Sequence, residues 1–231
     1  MAFVNSSSLQ RLRGAVLGVA KHRAVSVVVL SAMLAACTGL PRPPEVPVSY
    51  DFGALSGDAA PVVVGDSRPA LVLVGVASSG LSGDAQALQY RQAYSSDQLL
   101  QPYQLARWSQ PPAQLFEQQL RTELQKSRPV LGENLRLSRS REGAQAPAVL
   151  QIDLRSFEQV FVNPTTSVGH VQVQATLLKS NLDGNTLLGQ KVFSAKQPAT
   201  SANAVGGAQA LAQASKDISQ QINAWVTALG Q

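Results

Sequence analysis

Val171-Gln-Val-Gln-Ala-Thr-Leu177, then Asn181-Leu-Asp-Gly-Asn185, then the run from Leu187 to Ser194: these three stretches decide the fold. Val171, Val173, Ala175 and Leu177 alternate with Gln172, Gln174 and Thr176, the two-residue period of a strand with one face in a core and the other in water. The Asn-Leu-Asp-Gly-Asn segment holds residues that tolerate a sharp reversal, so the chain is expected to return as a second strand and close a hairpin. Just upstream, Leu150, Ile152 and Leu154 alternate with Gln151, Asp153 and Arg155. At Ser156 the phase slips, since Phe157 and Phe161 take odd positions, and a strand that keeps one face buried through such a slip needs a bulge there.

Helical spacing brackets this region. Downstream, Leu211, Ile218, Ile222, Trp225 and Leu229 form one stripe with Gln213, Lys216, Gln220 and Gln221 opposite, a helix ending near Leu229. Gly206-Gly207 stands at its entrance as a start or a kink. Upstream, Pro111 and Pro112 suit a first turn, Leu115, Phe116, Leu120 and Leu124 form the stripe, and Pro129 requires the helix to have ended. Residues 86 to 108 carry Tyr90, Tyr94, Tyr103 and Trp108 among Gln and Ser, with Pro102 breaking the run, as in a hairpin or two short strands. Ala70 to Val76 is unbroken aliphatic and reads as a strand buried on both faces. Val48 to Leu55 is a shorter β-like run, and Pro61 and Gly65 to Pro69 read as loop. Strands, helix, further strands, helix: the order predicts an α+β domain, mainly antiparallel, with two helices packed on one face of the sheet.

The chain of 231 residues is long enough for one domain with a real core. Its single cysteine excludes an intrachain disulfide and a Cys-rich zinc site. A net charge of +5 suggests nucleic acid, but Arg11, Arg13, Lys21 and Arg23 precede residue 37 and no acidic residue does. Without residues 1–36 the balance is 15 minus 14, or +1, too little for phosphate-backbone binding. After those basic residues come the apolar Ala24 to Met33 and then Leu34-Ala35-Ala36-Cys37, the order of a basic region, an apolar region and a small-residue cleavage site. The thirteen residues from Ala24 to Ala36 are too short to span a bilayer as a helix.

Leu34-Ala35-Ala36-Cys37 resembles the lipobox of bacterial lipoproteins, in which the leader is removed before the cysteine and the cysteine is acylated. Small alanines admit the backbone to a peptidase cleft, and only a thiol accepts diacylglycerol as a thioether. Several acyl chains give stable anchoring where one is marginal, and Thr38 implies passage to the outer membrane. Pro41, Pro43, Pro44 and Pro47 then form an extended, semi-rigid spacer. The expected organisation is a signal peptide over 1–36, an acylated cysteine and tether over 37–47, and one domain over 48–231.

Chemistry is sparse beyond the tether. His170 is the one histidine after the leader; a Ser-His-Asp hydrolase would have to use it, yet no Gly-x-Ser-x-Gly elbow occurs. With Cys37 given to lipid, only carboxylates remain for a metal, and Asp183-Gly-Asn185 lacks the acidic repeats of a calcium loop. Phosphate-cradling glycine motifs are absent, so neither catalysis, metal nor cofactor is expected. Tyr103, Arg107 and Trp108 remain, as either a partner-contact patch, since interfaces favour these residue types, or a scaffold ahead of the helix.

The lipobox, the proline spacer leading to Tyr50-Asp-Phe52, the Tyr103-x-x-x-Arg107-Trp108-x-x-Pro-Pro112 element and the helix with Leu120 and Leu124 together resemble the ABC-type transport auxiliary lipoproteins, the PqiC-like proteins associated with MCE lipid-transport systems. Familiar members begin with a Tyr-Tyr-x-Leu strand, and Tyr50-Asp-Phe52 departs from it. The resemblance implies a non-catalytic outer-membrane lipoprotein whose domain faces the periplasm. Its partners would be the membrane, through acylated Cys37, an MCE-domain protein, an inner-membrane ABC permease and ATPase, and a second copy of itself. Two rival readings stand beside it: a carrier that binds lipid or another apolar ligand itself, and an envelope hydrolase built on His170.

Overall fold

The alternation at Val171 to Leu177 is the inner face of a sixteen-residue strand, and strands of that length dominate the architecture. The structure, a computed structural model, describes residues 45–53, 68–79, 83–132, 147–181 and 184–230. Among them, in chain order, are β1 (Val48–Tyr50), β2 (Leu71–Leu73), β3 (Ala87–Gln92), β4 (Leu100–Trp108), α1 (Pro112–Gln125), β5 (Val130–Gly132), β6 (Ala148–Asn163), β7 (Thr166–Asn181), β8 (Gly184–Pro198) and α2 (Ala204–Ala228). The leader, the lipobox Leu34 to Cys37, most of the tether, Pro61, Leu182 and Asp183 lie outside the described residues.

β6, β7 and β8 form an antiparallel meander. Leu150 faces Leu177, Ile152 faces Ala175, Leu154 faces Val173, and Val173 faces Phe193, so each rung adds a buried pair on one side. Between Leu154 and Ser156 the register shifts by one residue. This is the bulge that the slipped periodicity demands, and it returns Phe157 and Phe161 to the core face. The expected β7–β8 hairpin is present, and β3 with β4 forms the second hairpin.

Along its other edge β6 meets two short strands end to end. β2 lies against Ala148 to Leu150 and β3 against Gln159 to Phe161, both parallel to β6. β5 adds parallel to β2, β4 antiparallel to β3, and β1 parallel to β4. The eight-stranded sheet is therefore mixed, with four parallel and three antiparallel pairings, which corrects the expectation of a mainly antiparallel sheet. Hydrophobic alternation reports which face is buried and carries no information on strand direction. Pro102 lies inside β4 opposite Gln89 instead of ending it, in a stretch that β1, which pairs only with Ala106 to Trp108, leaves uncovered on one edge.

Both helices contribute to the one core cluster formed with the inner sheet face. α1 begins with Pro112 in its first turn and buries Leu115, Phe116, Leu120 and Leu124. α2 is capped by Asn203, whose side chain accepts from the Gly206 amide at 3.1 Å, and it buries Leu211, Ala214, Ile218, Ile222 and Val226. Trp225 is only half-buried, its ring edge-on to Phe193 at 5.8 Å, and Leu229 is exposed at the C-cap. The α2 entrance lies so close to the sheet that glycine is required on both sides of the contact. A Cβ on Gly207 would overlap the Gln159 amide, and one on Gly169 of β7 would come within 2.6 Å of the Ala210 backbone.

Gly207→Ala and Gly169→Ala should each destabilise the fold by about 1–3 kcal/mol through overpacking. Gly132→Ala, where an added Cβ meets nothing within 4 Å, should change stability by no more than about 0.5 kcal/mol. Midpoints of chemical denaturation give the comparison.

Candidate functional site

β4 delivers Tyr103, Arg107 and Trp108 to the start of α1, and the structure sends the three side chains to different places. Trp108 is 1% exposed. Its ring meets Phe52 edge-on at 5.7 Å and Phe157 at 5.4 Å, while Phe52 and Phe157 stack at 6.0 Å. This trio ties the segment after β1 to β4 and to the far side of the β6 bulge. The indole N–H has no hydrogen-bond partner among the described residues, so Trp108 contributes as an apolar plug. Its own backbone is held at both sides: the Trp108 amide donates to Gln86 O at 2.8 Å, and the Ser109 amide to Tyr50 O at 2.7 Å.

Tyr103 points into a polar contact beneath the core face. Its ring lies 4.7 Å from that of Tyr90, which meets Phe161 edge-on. The Tyr103 hydroxyl donates to Gln159 Oε1 at 2.9 Å, and Gln159 Nε2 donates to Ser167 Oγ at 2.7 Å. Gln159 is fully buried under Gly207, so one amide connects the β3–β4 hairpin, β6, β7 and the α2 entrance. Burial, and secondarily Tyr90, push the Tyr103 pKa up to about 12. Arg107 is half-buried, and its guanidinium hydrogen-bonds Gln86 Oε1. Trp108 thus makes its contacts wholly inside the domain, Tyr103 directs its hydroxyl inward while its ring stays partly exposed, and Arg107 is likewise half-buried.

His170 stands on the outer face, where its Nε2 lies 3.2 Å from Ser194 Oγ. Burial first, and then Lys196, lower its pKa, against an opposing pull from Glu158. Glu158 is the cross-strand neighbour of His170, yet both its oxygens are engaged by Arg91, from Nε at 3.2 Å and Nη2 at 2.8 Å. A serine, a histidine and a carboxylate therefore share this face, but the carboxylate is bound to an arginine and not aligned behind the imidazole as a relay requires. Among the described residues no three His, Cys, Asp or Glu side chains converge as a metal site, and no helix is long and apolar enough to cross a membrane.

Two features escape the sequence. The Arg91–Glu158 pair joins β3 to β6, but Arg91 reads as an ordinary surface charge until the parallel pairing is known. Arg128 follows α1 and is fully buried; Nη2 donates to Thr227 Oγ1 at 2.7 Å, while Nε and Nη1 have no partner among the described residues. Pro129 immediately after it marked a helix end and gave no sign of a buried cation. Two open spaces lie among the described residues near this segment: a pocket of about 100 Å³ among Asp84, Pro111, Pro112 and Phe157, and a groove of about 550 Å³ between Tyr50 to Gly53 and α2, bordered by Phe52, Val205, Ala208, Ala212 and Lys216.

Trp108→Ala should cost about 3–5 kcal/mol, the range for emptying an aromatic from a core, measurable by denaturant titration. For Tyr103 the folded state retains a proton that the unfolded state releases near its ordinary pKa of 10.0. Its stabilisation is then complete below pH 10 and is lost as pH rises through about 12. Tyr103→Phe should remove that alkaline loss and delete a phenol ionising near 12 from the ultraviolet titration.

The model of the family described as ABC-type transport auxiliary lipoprotein component matches residues 61–223. No curated protein matches the chain significantly. Among solved structures, the crystal structure of protein XCC0632 from Xanthomonas campestris, of family DUF330, superposes with a TM-score of 0.58 at 19% identity, over 81% of this chain and 95% of that one. An uncharacterized protein superposes with a TM-score of 0.51 at 15% identity, over 79% of this chain and 99% of the other. These likenesses show a shared fold, and the family match takes in β2 to β8, α1 and most of α2. The chain belongs to the ABC-type transport auxiliary lipoprotein family.

Proposed function

We propose that the protein is a non-catalytic outer-membrane lipoprotein, fixed by acylated Cys37, whose periplasmic domain serves an ABC/MCE-type system that moves lipid between membranes. The observation that carries this reading is the order of parts: a lipobox ending at Cys37, a proline spacer, and then a domain of the transport auxiliary family. The engagement of Trp108, Tyr103 and Glu158 in internal contacts supports a holding role over a reactive one. In this reading Tyr103, through its buried hydroxyl contact, and Trp108 serve the scaffold, and Arg107, half-exposed and bonded to the Gln86 side chain, is the member offered to a protein partner. MCE-domain and permease partners, the membrane assignment and self-association belong to the same proposal.

A second reading, a carrier for lipid or another apolar ligand, is favoured by one observation. The groove beside α2 has the volume of a small-ligand site and combines Phe52, Val205 and Ala212 with Lys216, which suits an apolar tail with an anionic head. Its border also holds Ser49, Asp51, Gln119, Gln209 and Gln213, a wetter lining than an acyl chain prefers, so the docking role stands first.

Cys37→Ser should shift the protein from the membrane fraction to the soluble or uncleaved pool; retention of a processed chain in the membrane would refute the anchor. Cross-linking in intact cells should capture envelope transport subunits with the native chain, and Arg107→Ala should lower that yield without lowering thermal stability. For the carrier reading, native mass spectrometry after detergent-free extraction should show no stoichiometric lipid; one bound lipid per chain, lost in Ala212→Trp, would reverse the order of the two readings.

A further inference from the structure

We propose that the end of the sheet formed by the β3–β4 and β6–β7 connections rests on the surface of the bilayer that holds acylated Cys37. The inference builds on the anchor reading above. Its starting point is the placement of exposed apolar side chains, which register brings together. Gln92 of β3 lies beside Phe161 of β6, and the Ala93 amide donates to Phe161 O at 3.0 Å. Beyond that rung the next residues outward are Ala93 and Val162; Tyr94 follows Ala93 in the turn that leaves β3, at the same end of the sheet as Val162, and Leu99 stands at the close of the same hairpin. Tyr94, Val162 and Leu99 are exposed.

The chain enters the domain from this end. β4 runs away from the hairpin connection, and β1 lies parallel to it, with Val48 beside Ala106 and Tyr50 beside Trp108. The residues before Val48 accordingly point back toward Tyr94 and Leu99. Ser49, Arg107 and Ala87 share one level across three strands, and Arg91, level with Leu100, is four residues further on, about 13 Å along a strand. Val46, Val48 and Leu105 are exposed on that path. Among the described residues, six of the ten large exposed apolar side chains thus border the route from the tether to the connections.

Reach agrees with this. Cys37 precedes Val46 by nine residues, at most about 30 Å of chain, which spans the distance to this end with slack. The opposite end of β6 at Ala148 is a further eight residues down the sheet from the level of Ser156, about 26 Å beyond the entry strand. Charge agrees as well. Residues 93–99 and 162–166 contain one ionisable carboxylate, Asp97, among alanine, valine, leucine, proline, tyrosine, serine, threonine, asparagine and glutamine. A surface with few charges and a tyrosine suits the interfacial layer of a bilayer, where an amphipathic ring sits with its hydroxyl in the headgroups.

The test uses full-length acylated protein reconstituted in vesicles of phosphatidylethanolamine and phosphatidylglycerol. Because the thioether consumes Cys37, nitroxide labels attach only at single new cysteines: Tyr94→Cys, Leu99→Cys, Val162→Cys, and Leu187→Cys at the far end as reference. The first three should be relaxed more strongly by oxygen than by a water-soluble nickel chelate, and the fourth should show the reverse. Four water-accessible labels on protein that still floats with the vesicles would overturn the contact while leaving the anchor intact. Spin–spin broadening between copies without any preference for oxygen would overturn it in favour of self-association. A processed protein that does not float would overturn both the contact and the anchor.

Discussion

A sixteen-residue strand in the middle of a sheet must find partners for its backbone along two full edges, and the way β6 does so organises everything else. β7 pairs with one edge along its whole length. The other edge is divided, β2 taking the first rungs and β3 the last. In the gap between them the chain stays close enough for the Ala77 amide to bond Ile152 O and for Ser79 to bond Asp153. The bulge after Leu154 lies at this gap, and without it Phe157 and Phe161 would turn to the solvent face and the aromatic trio with Trp108 would have no third ring. Two half-sheets joined by one long strand are thus held in phase by a single extra residue.

Close packing also explains why the site residues divide as they do. Fixing α2 on the sheet needs a close approach, glycine at 169 and 207 allows it, and the amide of Gln159 is buried as a result. A buried amide must be satisfied, and Tyr103 and Ser167 satisfy it. The Tyr103 hydroxyl is thereby committed to the interior, while Trp108 is buried whole by its ring contacts. What faces outward among the described residues is the outer sheet face, the groove beside α2 and the sheet end with the β3–β4 and β6–β7 connections.

Much of this was legible in the chain. Each helix showed its apolar stripe and its proline or glycine boundary, the β7–β8 hairpin showed its alternation and turn, and even the bulge could be read from the slip at Ser156. These signals are local, because the periods of helix and strand are properties of neighbouring residues. The family, too, was visible in short motifs: Leu34 to Cys37, and Arg107-Trp108 ahead of Pro111-Pro112.

Strand direction and pairing were not legible, and neither was anything that depends on them. The parallel placement of β2 and β3 on one edge of β6, the Arg91–Glu158 pair, the packing of Arg128 against α2, and the placing of Tyr94 and Val162 at one end of the sheet all join residues far apart in sequence. Which of Tyr103, Arg107 and Trp108 faced inward was equally open, since a contact patch and a scaffold use the same residue types. Sequence alone determined the elements and their buried faces, since those follow from local period and composition. The tertiary structure decided partners, directions and the end of the sheet at which the chain enters, because those rest on contacts between segments that only packing brings together.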